Sequence, residues 1–365
     1  MTEQESQEDG EGLTAKELLH QLLSLARKRG ASDLHVGASS PPIVRLNGSL
    51  FVLQRERLSP EDAKEILFSA LTRSQRERAE KEMAVETLLA RDDGRYRVCI
   101  IKQRLGWDGC FRIIPSRVPQ PDQLGIPKAI QDLTTHRNGL ILITGPRGSG
   151  KTTTLGSLVN LVNMNRAEHI LTIEDPVEYV INSIRCIVSQ RTVGLHTESF
   201  AAALRSALRE DPDVIVVGDL RDTETISLAI TAAETGHLVI GSLNTGSAIG
   251  AVARIVDAFP LEQQQQVLTM LSESLRGVAS QRLIPLADGG GRVLALEVLI
   301  NTPGIGSLIR DNRMHQIRSA IQTGKKRGMQ LLDEDLGRMV KNGLVTREAA
   351  AEFAEHPERL PKGRK

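Results

Sequence analysis

The stretch GLILITGPRGSGKTTTL, residues 139–155, decides the fold. Its first six residues read as a buried strand, and the run from Lys151 onward reads as a helix. Between them Gly145, Pro146, Arg147, Gly148, Ser149, Gly150, Lys151 and Thr152 match G-x-x-x-x-G-K-[ST] in the strand-to-helix context that the pattern requires. The glycines let backbone N–H groups turn inward around phosphate oxygens, and the positive end of the following helix adds to that attraction. Lys151 is expected to reach the β- and γ-phosphates and Thr152 to hold Mg²⁺ through its hydroxyl, with Thr153 in the same binding set. A chance glycine-rich turn would need neither flanking element. The reading is a nucleotide site for ATP with Mg²⁺.

Outward from this loop the chain alternates strands and helices. HILTI (169–173), DVIVV (213–217), HLVIGSL (237–243) and VLALEVLI (293–300) are continuous apolar runs, with helical patterns over 199–210 and 223–234. Such a texture predicts an α/β domain whose largely parallel sheet is covered on both faces. Two strands end in acids. DPDVIVVGDLRD (211–222) carries Asp219, and ILTIEDPVEYV (170–180) carries Glu174, Asp175 and Glu178. Either acid alone could be a strand end reaching water. Beside a P-loop, however, strand ends converge on the ligand crevice, and a second acid is needed to position Mg²⁺ or the attacking water. Asp219 and Glu174 are both candidates for that role, and the general base is one or the other. Asp175 could serve Mg²⁺ or cap the turn at Pro176. His237 stands before a strand and Asn244 after it, where a γ-phosphate sensor belongs; a structural histidine and a turn asparagine are the plainer readings.

The first third of the chain differs. Thr14 and Glu17 form a capping box, Leu18, Leu22, Leu25 and Ala26 share a helix face, and Gly30 stops the helix. Short strands over 32–36, 42–48, 50–54, 94–104 and 109–115, with helices after Ser59 and over 73–82, suggest a small α+β domain. The expected divisions are an acidic disordered tail (1–12), this domain (13–114) and a proline-rich linker (115–127). A P-loop domain (128–300), a helical C-terminal region (301–350) and a flexible tail (351–365) follow.

Composition narrows the partners. Lys+Arg 46 against Asp+Glu 45 gives a net charge of +1, which offers no bulk attraction to nucleic acid or acidic membranes. Aromatics at 2% leave little for base stacking. Three separated cysteines without a C-x-x-C pair exclude a disulfide framework and disfavour structural zinc. No run is long and apolar enough for a membrane span, and no leader is evident, so the cytoplasm is expected.

Taken in order, these motifs resemble the type IV pilus retraction ATPases of the secretion ATPase superfamily. RGASDLH with GASSPPIVRLNG is similar to that family's PAS-like N-terminal domain. GPRGSGKTTTL resembles its Walker A, TIEDPVEY its aspartate box, LRSALREDPDVIVVGDLRD its Walker B, and AAETGHLVIGSLNT its histidine box. SLIRDNRMHQI (307–317) looks like the C-terminal signature of the retraction branch. The four-cysteine zinc module and long N-terminal extensions of the assembly and secretion branches have no counterpart, which points the same way. The resemblance implies a PAS-like α+β domain joined to a RecA-like P-loop ATPase domain. It also implies a homohexamer in which domain rotation on ATP turnover moves an inner-membrane platform protein at the pilus base. A cytoplasmic location at the inner face of that membrane is implied too, with a paralogous pilus ATPase as a second partner. The family's nucleotide-approaching arginines map onto Arg95, Arg97 and Arg112, and His237 would position the site or link it to the subunit interface.

Four departures concern the chemistry. The family's Walker B ends in Gly-Glu where this chain has Gly218-Asp219; the shorter acid withdraws the carboxylate by roughly 1.5 Å, and a misplacement of about 1 Å can cost about 10²-fold. The second histidine of the histidine box is Asn244, which hydrogen-bonds but carries no proton at neutral pH. Cys99 replaces an asparagine, and AVETLL (84–89) replaces an acidic-aromatic strand. The first reading is a hydrolysing hexameric motor. An ATP-binding accessory subunit of a more active paralogue is the alternative, and a nucleic-acid motor is disfavoured by the charge balance.

Overall fold

The computed structural model describes residues 13–46, 48–54, 56–114 and 117–362. The chain divides after Ser116 into two compact units. The expected acidic tail at 1–12 lies outside the described residues.

The first unit contains α1 (Ala15–Lys28), β1 (Asp33–Gly37), β2 (Ile43–Leu46) and β3 (Ser49–Val52), followed by α2 (Pro60–Ser69) and α3 (Arg73–Glu82). It closes with β4 (Ala84–Arg91), β5 (Gly94–Gln103) and β6 (Gly106–Ile114). The six strands form an antiparallel sheet ordered β3-β2-β1-β6-β5-β4. The Thr14 hydroxyl accepts from the Glu17 N–H at 3.3 Å and the Glu17 carboxylate accepts from the Thr14 N–H at 2.9 Å, so the capping box forms as read. The buried stripe of α1 is Leu19, Leu22, Leu23 and Ala26, while Leu18 and Leu25 sit at its margin. The stripe is rotated from the expected one, with Leu19 and Leu23 joining Tyr96 and Phe111 in the buried cluster of this unit.

The second unit begins with α4 (Lys128–Leu133), β7 (Gly139–Thr144), α5 (Lys151–Asn165), β8 (His169–Glu174) and β9 (Ile187–Thr192). Then come α6 (Phe200–Ala207), β10 (Val214–Val217), α7 (Thr223–Glu234), β11 (Leu238–Leu243), α8 (Ala248–Asp257) and α9 (Leu261–Ser274). The strands β12 (Leu275–Pro285) and β13 (Arg292–Ile300) precede α10 (Pro303–Arg310), α11 (Met314–Thr323), α12 (Leu332–Lys341) and α13 (Arg347–Ala351). The sheet order is β13-β12-β7-β11-β10-β8-β9, all parallel except for β13 against β12.

Both faces of this sheet are covered. Leu140 and Leu142 of β7 enter one core cluster while Ile141 and Ile143 enter the other, and β10 divides its residues the same way. That accounts for the continuous apolar runs. β9 and β12 were not anticipated. β12 follows α9 without a break and is interrupted by Arg276, Ser280, Gln281 and Arg282, so no apolar run marks it.

Two boundaries differ from expectation. Residues 117–127 belong to the second unit: Ile126 is buried, Val118 and Leu124 pack on its core, and the Ser157 hydroxyl donates to the Pro119 carbonyl at 2.8 Å. The expected flexible tail is packed as far as it is described. Leu360 is buried against Leu336, Met339 and Val340, and Asp333 accepts from the Glu355 and His356 N–H groups at 2.8 and 2.9 Å. In SLIRDNRMHQI, Ile309 and Ile317 are fully buried in the main core and Leu308 packs at its edge. Ile309 is therefore structural. Ile309→Ala is expected to destabilise the unit by about 2–5 kcal/mol, read as a lowered denaturation midpoint. A change below about 1 kcal/mol would contradict that assignment.

Candidate nucleotide site

The loop between β7 and α5 has the shape that its glycines permit. Gly145 has φ +151° and Gly150, at the helix N-cap, has φ +88°. A Cβ on Gly145 would stand 2.5 Å from the Ser149 Oγ and 2.6 Å from the Gln281 carbonyl of β12. The buried Gln281 side chain in turn donates from Nε2 to the Ser149 carbonyl at 2.6 Å. The neighbouring strand thus holds the loop through Gln281 and crowds Gly145, so the loop's course is set in part by the sheet.

Lys151 donates from Nζ to the carbonyls of Gly145 (2.9 Å) and Pro146 (3.0 Å) and to the Asn244 Oδ1 (2.9 Å). The ammonium is therefore aimed along the loop and tied to the end of β11. Burial pushes its pKa down, Asp219 opposes this, and Arg147 and Arg282 add to the downward push. Asn244 also donates from Nδ2 toward Asp219 at 3.5 Å. Asp219 is mostly shielded and accepts from the Arg221 Nε at 2.6 Å. Arg221 also lies 3.6 Å from Asp175 and over the ring of Phe200. Its guanidinium pKa is raised, chiefly through the hydrogen bond to Asp219. Sequence reading passed over Arg221, although its place two residues after the acid was the available signal.

Glu174, at the end of β8, accepts from the Thr172 hydroxyl at 2.6 Å and from the Gln190 Nε2 at 3.3 Å. Together with Thr152 and Tyr179 it lines a small cavity beneath the first turn of α5. The Thr153 hydroxyl lies 3.1 Å from the Tyr179 OH, so it is turned to the protein rather than to the loop's concave side. The Asp175–Pro176 bond is cis.

Lys151, Asn244, Asp219 and Glu174 therefore gather at one edge of the sheet, at the C-terminal ends of parallel strands. His237 does not join them. It precedes β11, its Nδ1 lies 3.0 Å from the Ala232 carbonyl, and its own carbonyl accepts from the Gly139 N–H. Six strand residues, about 20 Å, separate it from the crevice, so it is no catalytic neighbour within one subunit. Arg95, Arg97 and Arg112 belong to the first unit, on β5 and β6, with Arg97 directly opposite Arg112. Arg97 pairs with Glu86, and Arg112 donates to Asp33 at 2.9 Å. Burial pushes the Asp33 carboxyl up, but the Ser32 hydroxyl and Arg112 outweigh it, leaving the pKa lowered.

The donor set fits Mg²⁺ with a nucleotide. Mg²⁺ takes one or two carboxylates together with phosphate oxygens and waters rather than an all-protein cage. Among the described residues no cluster of three or more His, Cys, Asp or Glu side chains forms such a cage. The Asp219 carboxylate and the Thr152 hydroxyl are the hard oxygen donors beside the phosphate loop. Asp175, which the sequence also offered as a metal donor, lies 3.6 Å from the same Arg221. Arg221→Ala is expected to lower the Mg²⁺ concentration for half-maximal ATP turnover by about five-fold, because removing a surface ion-pair partner of about 1 kcal/mol frees Asp219 for the metal. A higher Mg²⁺ requirement in the variant would contradict this role.

The comparisons agree with the geometry. Residues 120–351 match the family described as Type II/IV secretion system protein. The chain is 45% identical over 339 residues to the type IV pilus retraction ATPase PilT of Pseudomonas aeruginosa, spanning 93% of this chain and 98% of that protein. It is 36% identical over 335 residues to the type IV pilus ATPase PilU of the same organism, spanning 92% and 88%. The crystal structure of the pilus retraction motor PilT with bound ADP superposes with a TM-score of 0.86 at 44% identity, covering 96% of this chain and 99% of that one. With a P-loop, two strand-end acids and a strand-end asparagine on one crevice, the chain belongs to the type II/IV secretion ATPase family and is PilT/PilU-like within it.

Proposed function

We propose that this chain is an Mg²⁺-dependent ATP-hydrolysing motor subunit of the pilus-retraction type, assembled as a homohexamer in the cytoplasm at the inner face of the membrane. The observation that carries the reading is the meeting of Lys151, Asn244 and Asp219 at the mouth of the clamped loop. The names borne by its relatives, pilus retraction ATPase and twitching motility protein, support the process. Among the described residues no helix is long and apolar enough to cross a membrane. A membrane partner, proposed to be the pilus-base platform protein, would therefore receive the force.

In this mechanism the loop N–H groups and the α5 N-terminus bind the phosphates, and the Lys151 ammonium exchanges its carbonyl partners for β- and γ-oxygens. Bound Mg²⁺ would neutralise charge developing on the phosphates, with Thr152 and Asp219 as its protein ligands. Asp219 or Glu174 orients the attacking water and takes up its proton, and Asn244 holds Lys151 and Asp219 in register. Arg95, Arg97 and Arg112 are proposed to approach the nucleotide of a neighbouring subunit and to stabilise its transition-state charge. His237, at the far edge of the sheet, is proposed to serve the subunit interface.

Light scattering with and without Mg²⁺ and a non-hydrolysable ATP analogue tests the assembly. The proposal expects a mass of six 39.9 kDa chains. A monomer under both conditions would overturn the ring.

A further inference from the structure

One cation beside the loop has no part in the scheme above. Arg282 lies on β12, the strand that flanks β7 on the side away from β11. Its Nη1 donates to the Gln281 carbonyl at 3.0 Å and its Nη2 to the Gly246 carbonyl at 2.8 Å. That Gln281 carbonyl is the oxygen that a Cβ on Gly145 would strike, and the Gly145 carbonyl is an acceptor of the Lys151 ammonium. The guanidinium and the ammonium therefore flank the same glycine. Gly246 lies two residues beyond Asn244, so Arg282 holds the loop that carries the sensor position.

Among the described residues no carboxylate is in contact with Arg282. Glu297 acts on it only at longer range and is engaged at 2.6 Å with the Ala248 N–H. Burial depresses the guanidinium pKa, and Arg282 in turn depresses that of Lys151. Two cations drawn together in a half-buried site, with donors to spare on the guanidinium, call for an anion. The loop beside them is built for phosphate.

We propose that Arg282 is a phosphate ligand of this site, contacting the terminal phosphate of a bound nucleoside triphosphate from within the same subunit. It discriminates triphosphate from diphosphate, and it carries that difference to the Asn244 loop through Gly246. The proposal rests on the nucleotide-site reading and adds to it the residue that reads the third phosphate.

The test is equilibrium binding of fluorescent ADP and of a fluorescent non-hydrolysable ATP analogue, with Mg²⁺, to the full chain and to Arg282→Gln and Arg282→Lys. Loss of a charge-assisted contact should weaken the triphosphate analogue by about 10- to 100-fold in Arg282→Gln. ADP affinity should change by less than about three-fold, and Arg282→Lys, which keeps the charge but loses the planar fork, should recover only part of the preference. An unchanged triphosphate-to-diphosphate ratio in Arg282→Gln would overturn the proposal. So would an equal loss for both nucleotides with a lowered melting temperature, which marks a purely structural clamp. Wild type binding neither nucleotide would instead overturn the underlying site.

Discussion

Asp219→Asn is expected to lower ATP turnover by about 10²-fold or more, with nucleotide affinity within a few-fold of wild type. The amide keeps an oxygen to accept from Arg221 and stays beside Asn244, so the local packing survives. What is lost is the negative charge that holds Mg²⁺ and the basicity that can take a proton from water. Glu174 provides the internal comparison. It is held by the Thr172 hydroxyl and Gln190 at the end of the adjacent strand β8. If Glu174 is the base, Glu174→Gln will match or exceed the loss in Asp219→Asn, and Asp219→Asn will respond to raised Mg²⁺. Turnover of Asp219→Asn within about three-fold of wild type would remove Asp219 from the catalytic centre. Asp219→Glu advances the carboxylate by about 1.5 Å and asks whether the shorter acid is a handicap.

Gly145→Ala should weaken nucleotide binding by about 10²-fold, because the loop must shift to admit the methyl group and phosphate positioning is sensitive to about 1 Å. Both obstructing atoms are close, and one is the backbone carbonyl of Gln281, which the pairing of β12 with β7 holds in place. At φ +151° an alanine is strained whatever the space, adding about 1–3 kcal/mol. Gly194→Ala is the control: its φ is also positive, at +79°, but nothing lies within 4 Å of the added Cβ. It should cost about 1–2 kcal/mol of stability and leave binding unchanged. Equal nucleotide affinities for Gly145→Ala and wild type would show that the clamp does not shape the loop.

Much of the site could be read before the fold was seen, because its parts are local. The loop lies between a contiguous strand and helix, so seventeen consecutive residues (139–155) carry both the motif and its context. Asp219, Glu174 and Asn244 each follow an apolar run, and parallel strands bring such ends to one edge. The same rule places His237, which precedes its strand, at the opposite edge. Its appearance in a motif concealed that separation. The contributions of β12 were not legible. Gln281 reaches the loop, and Arg282 the segment after Asn244, from a strand brought in by pairing across long stretches of sequence and hidden by its polar residues. The helical face of α1 was off by one position, since helix periodicity fixes a stripe only to within the choice of partner. The tail beyond Ala351 looked unstructured because Leu360 is an isolated apolar residue; its burial depends on a pocket made by α12.

Steady-state ATP hydrolysis by the purified full chain across a range of Mg²⁺ concentrations, beside Lys151→Ala, tests the central claim most directly. The account predicts Mg²⁺-dependent turnover at least about 10²-fold above the variant, which lacks the ammonium that stabilises the transferring phosphoryl group. Wild-type turnover equal to that of Lys151→Ala at every Mg²⁺ concentration would contradict it.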